Sequence, residues 1–227
     1  MGVMMDFFEE KDGKLIFREN GEIVLVEPWG EDSIRVRGCM LGEIQDTNAA
    51  LLMPESGPAE IRTRIREDGT GAELQNGKLT ACLKVQGWGK KLQITFRNQK
   101  DEILLQEIAG GGALTLNARQ YKPLPGGTYR LKASFVSDPE EKIYGMGQYQ
   151  QERMNLKGCN LELAHRNSQA SIPFYVSSLG YGFLWNNAAI GEVHFGLNTT
   201  EWIAEATPQL DYWITAGDTP AQVEEQY

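Results

Sequence analysis

Two histidines, His165 and His194, are the side chains of this sequence best suited to exchange protons near neutral pH. Paired with a carboxylate base across one pocket, a histidine acid could serve a sugar epimerase or mutarotase. Their positions in the chain do not place either histidine opposite an acid, and a single histidine is more often a hydrogen-bonded structural residue. Epimerisation therefore stays an alternative interpretation.

The 31 Asp and Glu residues are too many for position alone to reveal a catalytic pair. No two of them stand out as the two carboxyl groups of a glycosidase. The Gly-x-Gly segment 144–148 (YGMGQ) looks like the start of a phosphate loop, but no third glycine, lysine or helical pattern follows it. Two glycines near a strand end instead indicate a bulge or a close backbone approach.

Three cysteines, Cys39, Cys82 and Cys159, are far apart and form no C-x-x-C motif. No histidine pair accompanies them, so the spacing favours neither a disulfide framework nor a zinc site. We expect ordinary buried or half-buried thiols, no metal and no cofactor.

Aromatic residues are concentrated in the last third of the chain, near two amide side chains, Asn186 and Asn187. Sugars stack on aromatic faces beside amides, whereas packing in the core is the commoner role of such residues. Both interpretations are open for this set: Tyr175, Tyr181, Phe183, Trp185, Trp202, Tyr212 and Trp213.

The elements that must position these residues are strands. Apolar residues alternate with polar ones in segments 61–66, 79–85, 92–96 and 129–135. In the first of these, Arg62, Arg64 and Arg66 form a basic stripe, which is typical of a solvated sheet face. Turn sequences separate the strands at 20–21, 68–69, 76–77, 87–89 and 125–127. No helical periodicity of ten or more residues interrupts them, so we predict an all-β sandwich.

The overall charge makes some partners unfavourable. The 227 residues carry 22 Lys and Arg against 31 acids, a net charge of −9, which would repel phosphate backbones and anionic lipid. We expect no nucleic-acid partner. No apolar run reaches the ~20 residues of a membrane helix. The first six residues have neither a basic nor an apolar signal region, which predicts a cytoplasmic protein.

Two further segments depart from the strand pattern. Residues 46–58 contain Pro54, Gly57 and Pro58 and predict a long loop. Thr219-Pro220-Ala221-Gln222 is a capping box with proline at the first helical position, which predicts a helix. The sequence given ends two turns later at Tyr227, as at a trimmed domain boundary or after a short docked helix.

Four segments resemble, in order and spacing, the N-terminal domain of glycoside hydrolase family 31. The resemblance is specific from Ile143 onwards and diffuse before it. The segments are 144–148 (YGMGQ), 165–167 (HRN), 171–187 (SIPFYVSSLGYGFLWNN) and 211–220 (DYWITAGDTP).

The resemblance implies an all-β, galactose-mutarotase-like β-supersandwich over residues 1–218. It also implies that residues 219–227 begin a helix leading into a (β/α)8 barrel. In that family both catalytic aspartates of the retaining mechanism belong to the barrel. The chain itself is then expected to hold no catalytic residue and to be inactive alone, since retaining hydrolysis needs two carboxyl groups ~5–5.5 Å apart.

The resemblance also implies a sugar-contacting loop. An Arg-Asp pair usually precedes the Ile-Pro-Phe-like strand there, and its aspartate binds a substrate hydroxyl. The matching residues are Arg166 and Asn167, and the uncharged amide can both donate and accept. The alternative is that Asn167 only shapes a turn. Further candidates for the same rim are Gln148, Tyr149, Gln150 and Arg153.

The function implied is that of the N-terminal domain of a retaining glycosidase acting on terminal α-glucosides or α-xylosides. Its expected partners are an α-linked oligosaccharide or glycoside and its own barrel. A stand-alone carbohydrate-binding sandwich and a domain that mediates homo-oligomer assembly are the other interpretations.

Overall fold

The computed structural model describes residues 7–46, 50–51, 53–54, 57–87, 89–109 and 117–227. Within these ranges it has eighteen β-strands in three antiparallel sheets and one short helix, α1 (Pro220–Gln226). The prediction of an all-β sandwich is confirmed. Residues 1–6, Trp88 of a predicted turn and part of the predicted 46–58 loop lie outside the described residues.

The largest sheet has eight strands. In spatial order they are β1 (Phe8–Lys11), β2 (Lys14–Glu19), β3 (Glu22–Pro28), β4 (Ser33–Met40), β18 (Leu210–Ala216), β15 (Tyr181–Trp185), β14 (Ala170–Ser177) and β12 (Ile143–Gln148). Chain-consecutive hairpins build one half, and strands from the later segment 143–216 complete the other.

The other two sheets have five strands each. One contains β5 (Ile61–Ile65), β6 (Gly71–Asn76), β7 (Leu79–Gln86), β8 (Lys91–Arg97) and β9 (Ile103–Gln106). The other contains β10 (Arg119–Leu124), β11 (Thr128–Val136), β17 (Thr199–Thr207), β16 (Gly191–Phe195) and β13 (Asn160–Leu163).

Alternation in the sequence located several strands correctly. In β7 the side chains of Leu79, Ala81 and Leu83 are buried, as the period of two requires. Arg62 and Arg64 of β5 are exposed, which confirms the solvated face. At the turn between β2 and β3, Asn20 and Gly21 have φ of 50° and 81°, the left-handed pair that a two-residue type I′ turn needs.

One face of the eight-stranded sheet packs on both smaller sheets. Tyr212 of β18 contacts Phe96 of β8 and Phe135 of β11, with ring centroids 6.2 and 5.6 Å apart. A bridge between Glu107 and Phe135 joins the two smaller sheets. They therefore form one composite layer over the main core.

A buried ionic cluster ties the three sheets together. Arg119 of β10 donates to Glu22 of β3 at 2.7 Å and to Glu107, which follows β9, at 2.5 Å. Burial raises the pKa of Glu107, and Arg119 opposes that rise. Arg119 also donates to the Leu92 carbonyl of β8 at 3.1 Å, so the cluster contacts all three sheets and fixes them relative to each other.

The outer face of the eight-stranded sheet is buried as well around β18. All seven residues of β18 are buried, and helix α1 packs over β14, β15 and β18. Val223 of the helix is fully buried in a small apolar cluster that includes Phe174, Leu184 and Trp213. Both faces of this part of the sheet are thus covered.

The predicted helix cap is confirmed. Thr219 has extended φ and ψ, and its side chain accepts a hydrogen bond from the amide of Gln222 at 3.3 Å. The Gln222 side chain accepts from the amide of Asp218 at 2.9 Å. The described residues contain no helix long and apolar enough to cross a membrane.

Candidate functional site

The residues predicted to face a sugar lie around the hairpin that joins β13 to β14. Arg166 and Gln169 exchange two backbone hydrogen bonds, of 3.2 and 3.1 Å, so Asn167 and Ser168 form a two-residue tip. Ser168 has a φ of 69°, a conformation that favours glycine. Both tip residues are exposed.

The Arg166 side chain is hydrogen-bonded to the strand that leads into the turn. Its Nε donates to Oε2 of Glu162 at 2.7 Å and its Nη2 donates to Oε1 at 2.5 Å. This two-point geometry gives a carboxylate–guanidinium pair directional strength. The hydrogen bond from Arg166 lowers the pKa of the Glu162 carboxyl.

Tyr149 connects two sheets at the base of the same hairpin. Its hydroxyl donates to the Glu162 carbonyl of β13 at 2.9 Å and is 2.8 Å from Oγ of Ser171 in β14. Because the phenol has one proton, the Ser171 hydroxyl is the donor in the second bond. Burial raises the pKa of the half-buried Tyr149.

Gln148 is the last residue of β12 and is opposite Ala170, directly after the turn. The Gly-x-Gly segment before it forms a register shift, with φ of 118° at Gly145 and 86° at Gly147. A side chain on Gly147 would collide with the Ala170 backbone. The prediction of a bulge with a close backbone approach is confirmed.

Gln150 and Arg153 are exposed in the irregular segment that follows β12. In the described part of the chain, neither side chain has a hydrogen bond to the hairpin. The structure thus brings four of the six predicted residues to one corner: Gln148, Tyr149, Arg166 and Asn167.

Sequence reasoning missed Glu162 and Ser171, which hold this corner. The four-residue spacing from Glu162 to Arg166 could have indicated an ion pair, but such spacing normally indicates a pair on a helix. Here it spans the end of a strand and a turn. Only the tertiary fold brings Tyr149 to both partners.

The two histidines are at opposite ends of β13. His194 is opposite Asn160 at the start of that strand, and its Nε2 is 3.1 Å from Glu192. His165 follows the end of the strand, where its Nδ1 accepts from the amide of Ser171 at 3.3 Å. The surface pocket that contains His194 does not include His165.

The interpretation of the aromatic residues as a sugar-facing edge is wrong. All seven are buried, and Trp185 stacks on Trp202 inside the core at a centroid distance of 5.6 Å. Asn186 donates to the Asp211 carboxylate at 2.9 Å, and Asn187 donates to Thr207 at 3.0 Å. No face is left on which a sugar could stack.

The cysteines fit the expectation of unpaired thiols. Cys39 is buried, Cys82 and Cys159 are half-buried, and all three are free. Burial raises the pKa of Cys39 and of Cys82, which makes both poor nucleophiles. In the described ranges no group of three or more His, Cys, Asp or Glu side chains could hold a metal ion.

The sequence and the fold can be compared with those of known proteins. The family model of the glycosyl hydrolase 31 N-terminal galactose mutarotase-like domain matches residues 22–193. The chain belongs to this family. The family assignment and the mutarotase-like fold expected from the resemblance are therefore confirmed.

Three relatives indicate where such a domain occurs. The chain is 46% identical over 228 residues to an uncharacterised family 31 glucosidase, ORF2, of Pseudescherichia vulneris. It is 30% identical over 225 residues to alpha-xylosidase A of Aspergillus niger. The alignments cover 93% and 92% of this chain but only 41% and 30% of those proteins.

A solved structure also contains such a domain as part of a longer chain. The structure of a GH31 alpha-xylosidase from a soil metagenome, complexed with xylose, matches with a TM-score of 0.88 and 45% identity. The match covers 97% of this chain and 34% of that protein. This domain of family 31 is thus found within proteins of more than twice its length.

Proposed function

We propose that the chain is the N-terminal domain of a retaining α-glycosidase that hydrolyses terminal α-glucosides or α-xylosides. The observation that carries the proposal is the match to the xylose-bound alpha-xylosidase, at a TM-score of 0.88. Because that match covers 34% of the longer protein, we assign hydrolysis to a catalytic barrel beyond residues 1–218 and the linking helix 219–227.

The corner hairpin supports a role in binding rather than in bond cleavage. Retaining hydrolysis needs a nucleophile and an acid/base carboxyl ~5–5.5 Å apart. Glu162, the carboxylate that pairs within the hairpin, accepts from Arg166 through both of its oxygens. We therefore assign no catalytic residue to this chain.

Asn167 is our primary candidate for a sugar contact. Its side chain is exposed at the tip of the hairpin and has no hydrogen-bond partner among the described residues. An amide with both groups available can accept from one sugar hydroxyl and donate to another. The same rim includes Gln148, Gln150 and Arg153, with Tyr149 and Arg166 at its base.

The outer face of the eight-stranded sheet is our candidate for the surface that packs on the barrel. Near α1 the side chains of Tyr144, Ile172 and Tyr227 are 37%, 45% and 50% exposed. Such an apolar group at a sheet face is typical of an interface. We also propose a cytoplasmic location, which the three free thiols support.

The test compares the complete protein to which we assign this domain with the 227-residue chain alone. We expect the complete protein to hydrolyse p-nitrophenyl α-xyloside or α-glucoside with retention of configuration, measured by NMR of the first-formed anomer. We expect the chain alone to give the uncatalysed rate. Cleavage by the chain alone, or an inactive complete protein, would contradict the proposal.

Calorimetric titration of the chain with xylose, glucose and maltose tests the stand-alone binding module. We expect little or no heat, because the chain supplies one wall of the pocket. Micromolar binding would favour a lectin-like domain instead. Sedimentation of both proteins would show whether either forms a homo-oligomer.

A further inference from the structure

We propose that Tyr149, Glu162 and Arg166 are positioning residues that hold Asn167 at the tip of its hairpin, and that none of the three contacts the sugar. The inference deepens the proposed function and rests on it. It divides the six predicted rim residues into those that face outward and those that are committed to the hairpin.

The Arg166 side chain is directed back onto the strand that precedes the turn. Two of its nitrogens, Nε and Nη2, are engaged by Glu162 on the preceding strand. The backbone of Arg166 closes the turn with Gln169 at the same time. The Arg166 and Glu162 side chains are 61% and 45% exposed, so the pair contributes modestly by itself and acts together with the backbone bonds of the turn to direct Arg166 towards its own strand.

The Tyr149 hydroxyl connects strands of two different sheets. The strand β13 is at the edge of a five-stranded sheet, whereas β14 is in the eight-stranded sheet. Through Glu162 and Ser171 the hydroxyl is bonded to both strands. The two sides of the hairpin are therefore held at one spacing just below the turn.

The turn itself has an uncommon backbone conformation. Ser168 has a left-handed φ of 69°, which a residue with a side chain adopts at a cost in energy. Such a conformation persists when the surrounding contacts over-determine it. Gln169 adds a hydrogen bond from its side chain to the Ala164 carbonyl at 3.0 Å. The contacts below the tip thus select the orientation of Asn167.

The first test is amide hydrogen exchange in the 227-residue chain. In Tyr149→Phe and Glu162→Gln we expect the amides of Arg166 and Gln169 to exchange about two- to tenfold faster, as loss of one net hydrogen bond implies. Unchanged exchange at these two amides in both variants would overturn the proposal.

Two variants elsewhere are matched controls for this test. Tyr129→Phe removes a tyrosine bond to the Met40 carbonyl, and Asp101→Asn removes the partner of Arg97 in another i,i+4 pair. Both should leave exchange at Arg166 and Gln169 unchanged. Faster exchange in the controls would show a global loss of stability and would also count against the proposal.

The second test is a double-mutant cycle in the complete enzyme with Glu162→Gln and Arg166→Gln. If Arg166 acts through Glu162, each single variant raises KM by about the same factor with kcat nearly unchanged, and the double variant adds nothing further. If Arg166 binds the sugar, Arg166→Gln still raises KM in the Glu162→Gln background, and the proposal is wrong.

Failure of the proposed function and failure of the positioning role would give different results. A complete protein that hydrolyses no α-glycoside would contradict the proposed function, while exchange in the chain would still decide whether these residues hold the turn. An active enzyme with an additive cycle would contradict only the positioning role.

Discussion

Val223 occupies the space that a side chain on Gly182 would need. A Cβ atom on Gly182 would be 2.5 Å from Cγ1 of Val223 and 3.0 Å from the Phe174 ring. Helix α1 can therefore lie directly on β15. The same ring of Phe174 stacks on Tyr227 at a centroid distance of 4.0 Å, which fixes the other end of the helix.

Replacing Gly182 with alanine should lift the helix from the sheet. We expect Gly182→Ala to reduce the free energy of unfolding by about 1–3 kcal/mol, the usual cost of overpacking. Urea denaturation measures this change. In a Val223→Ala background the cost should be smaller, because the colliding methyl group is gone. Gly57→Ala is the control, since among the described residues, its chain neighbours aside, no atom is within 4 Å of its Cβ position.

Removing the carboxylate of Asp211 should be strongly destabilising. Asp211 accepts from Arg35 at 3.0 and 2.6 Å and from Asn186 at 2.9 Å, and Arg35 is fully buried. We expect Asp211→Ala to cost about 3–5 kcal/mol, because it removes a carboxylate that accepts two hydrogen bonds from a buried guanidinium and one from Asn186. Thermal or urea unfolding measures the loss.

The exposed pair of Arg62 and Glu60 is the comparison for that prediction. Their side chains are 66% and 73% exposed, so Glu60→Ala should change stability by less than about 1 kcal/mol. Equal losses in the two variants would contradict the role we assign to burial.

Asn167→Ala should weaken substrate binding and leave the stability of the fold nearly unchanged. We expect a higher KM or a changed preference between xylosides and glucosides in the complete enzyme. The free energy of unfolding should change by less than about 0.5 kcal/mol, because the side chain is exposed. Asn160→Ala, at the far end of β13, should change neither. Identical kinetics on every α-glycoside would remove Asn167 from the site.

The corner ion pair should titrate at low pH. Because Arg166 lowers the pKa of Glu162, the pair stabilises the hairpin above the ordinary Glu pKa, and this contribution is lost as the pH falls through the lowered value. Carboxyl NMR between about pH 7 and pH 2 measures the midpoint. Arg166→Gln should return it to the ordinary range, and an unmoved midpoint would refute the pairing in solution.

The sequence by itself determined the features that depend on near neighbours. Alternation located β7, β8 and β11, the Asn20-Gly21 pair located a hairpin turn, and Thr219 located the start of the helix. These follow from local backbone preferences and side-chain periodicity, which a few consecutive residues specify. Alternation and turns also predict the all-β sandwich, and the family motifs add its galactose-mutarotase-like form.

The tertiary structure decided which faces are covered. Alternation predicts strands with one wet face, yet β18 is buried at all seven positions, because α1, Leu51 and Trp29 cover the side that the smaller sheets do not. Six of the seven aromatic residues belong to the main core, and Trp213 belongs to the cluster that includes Val223 of the helix. The corner around Asn167 likewise depends on Tyr149 meeting Glu162 and Ser171 from two sheets, a contact between distant segments that no local pattern encodes.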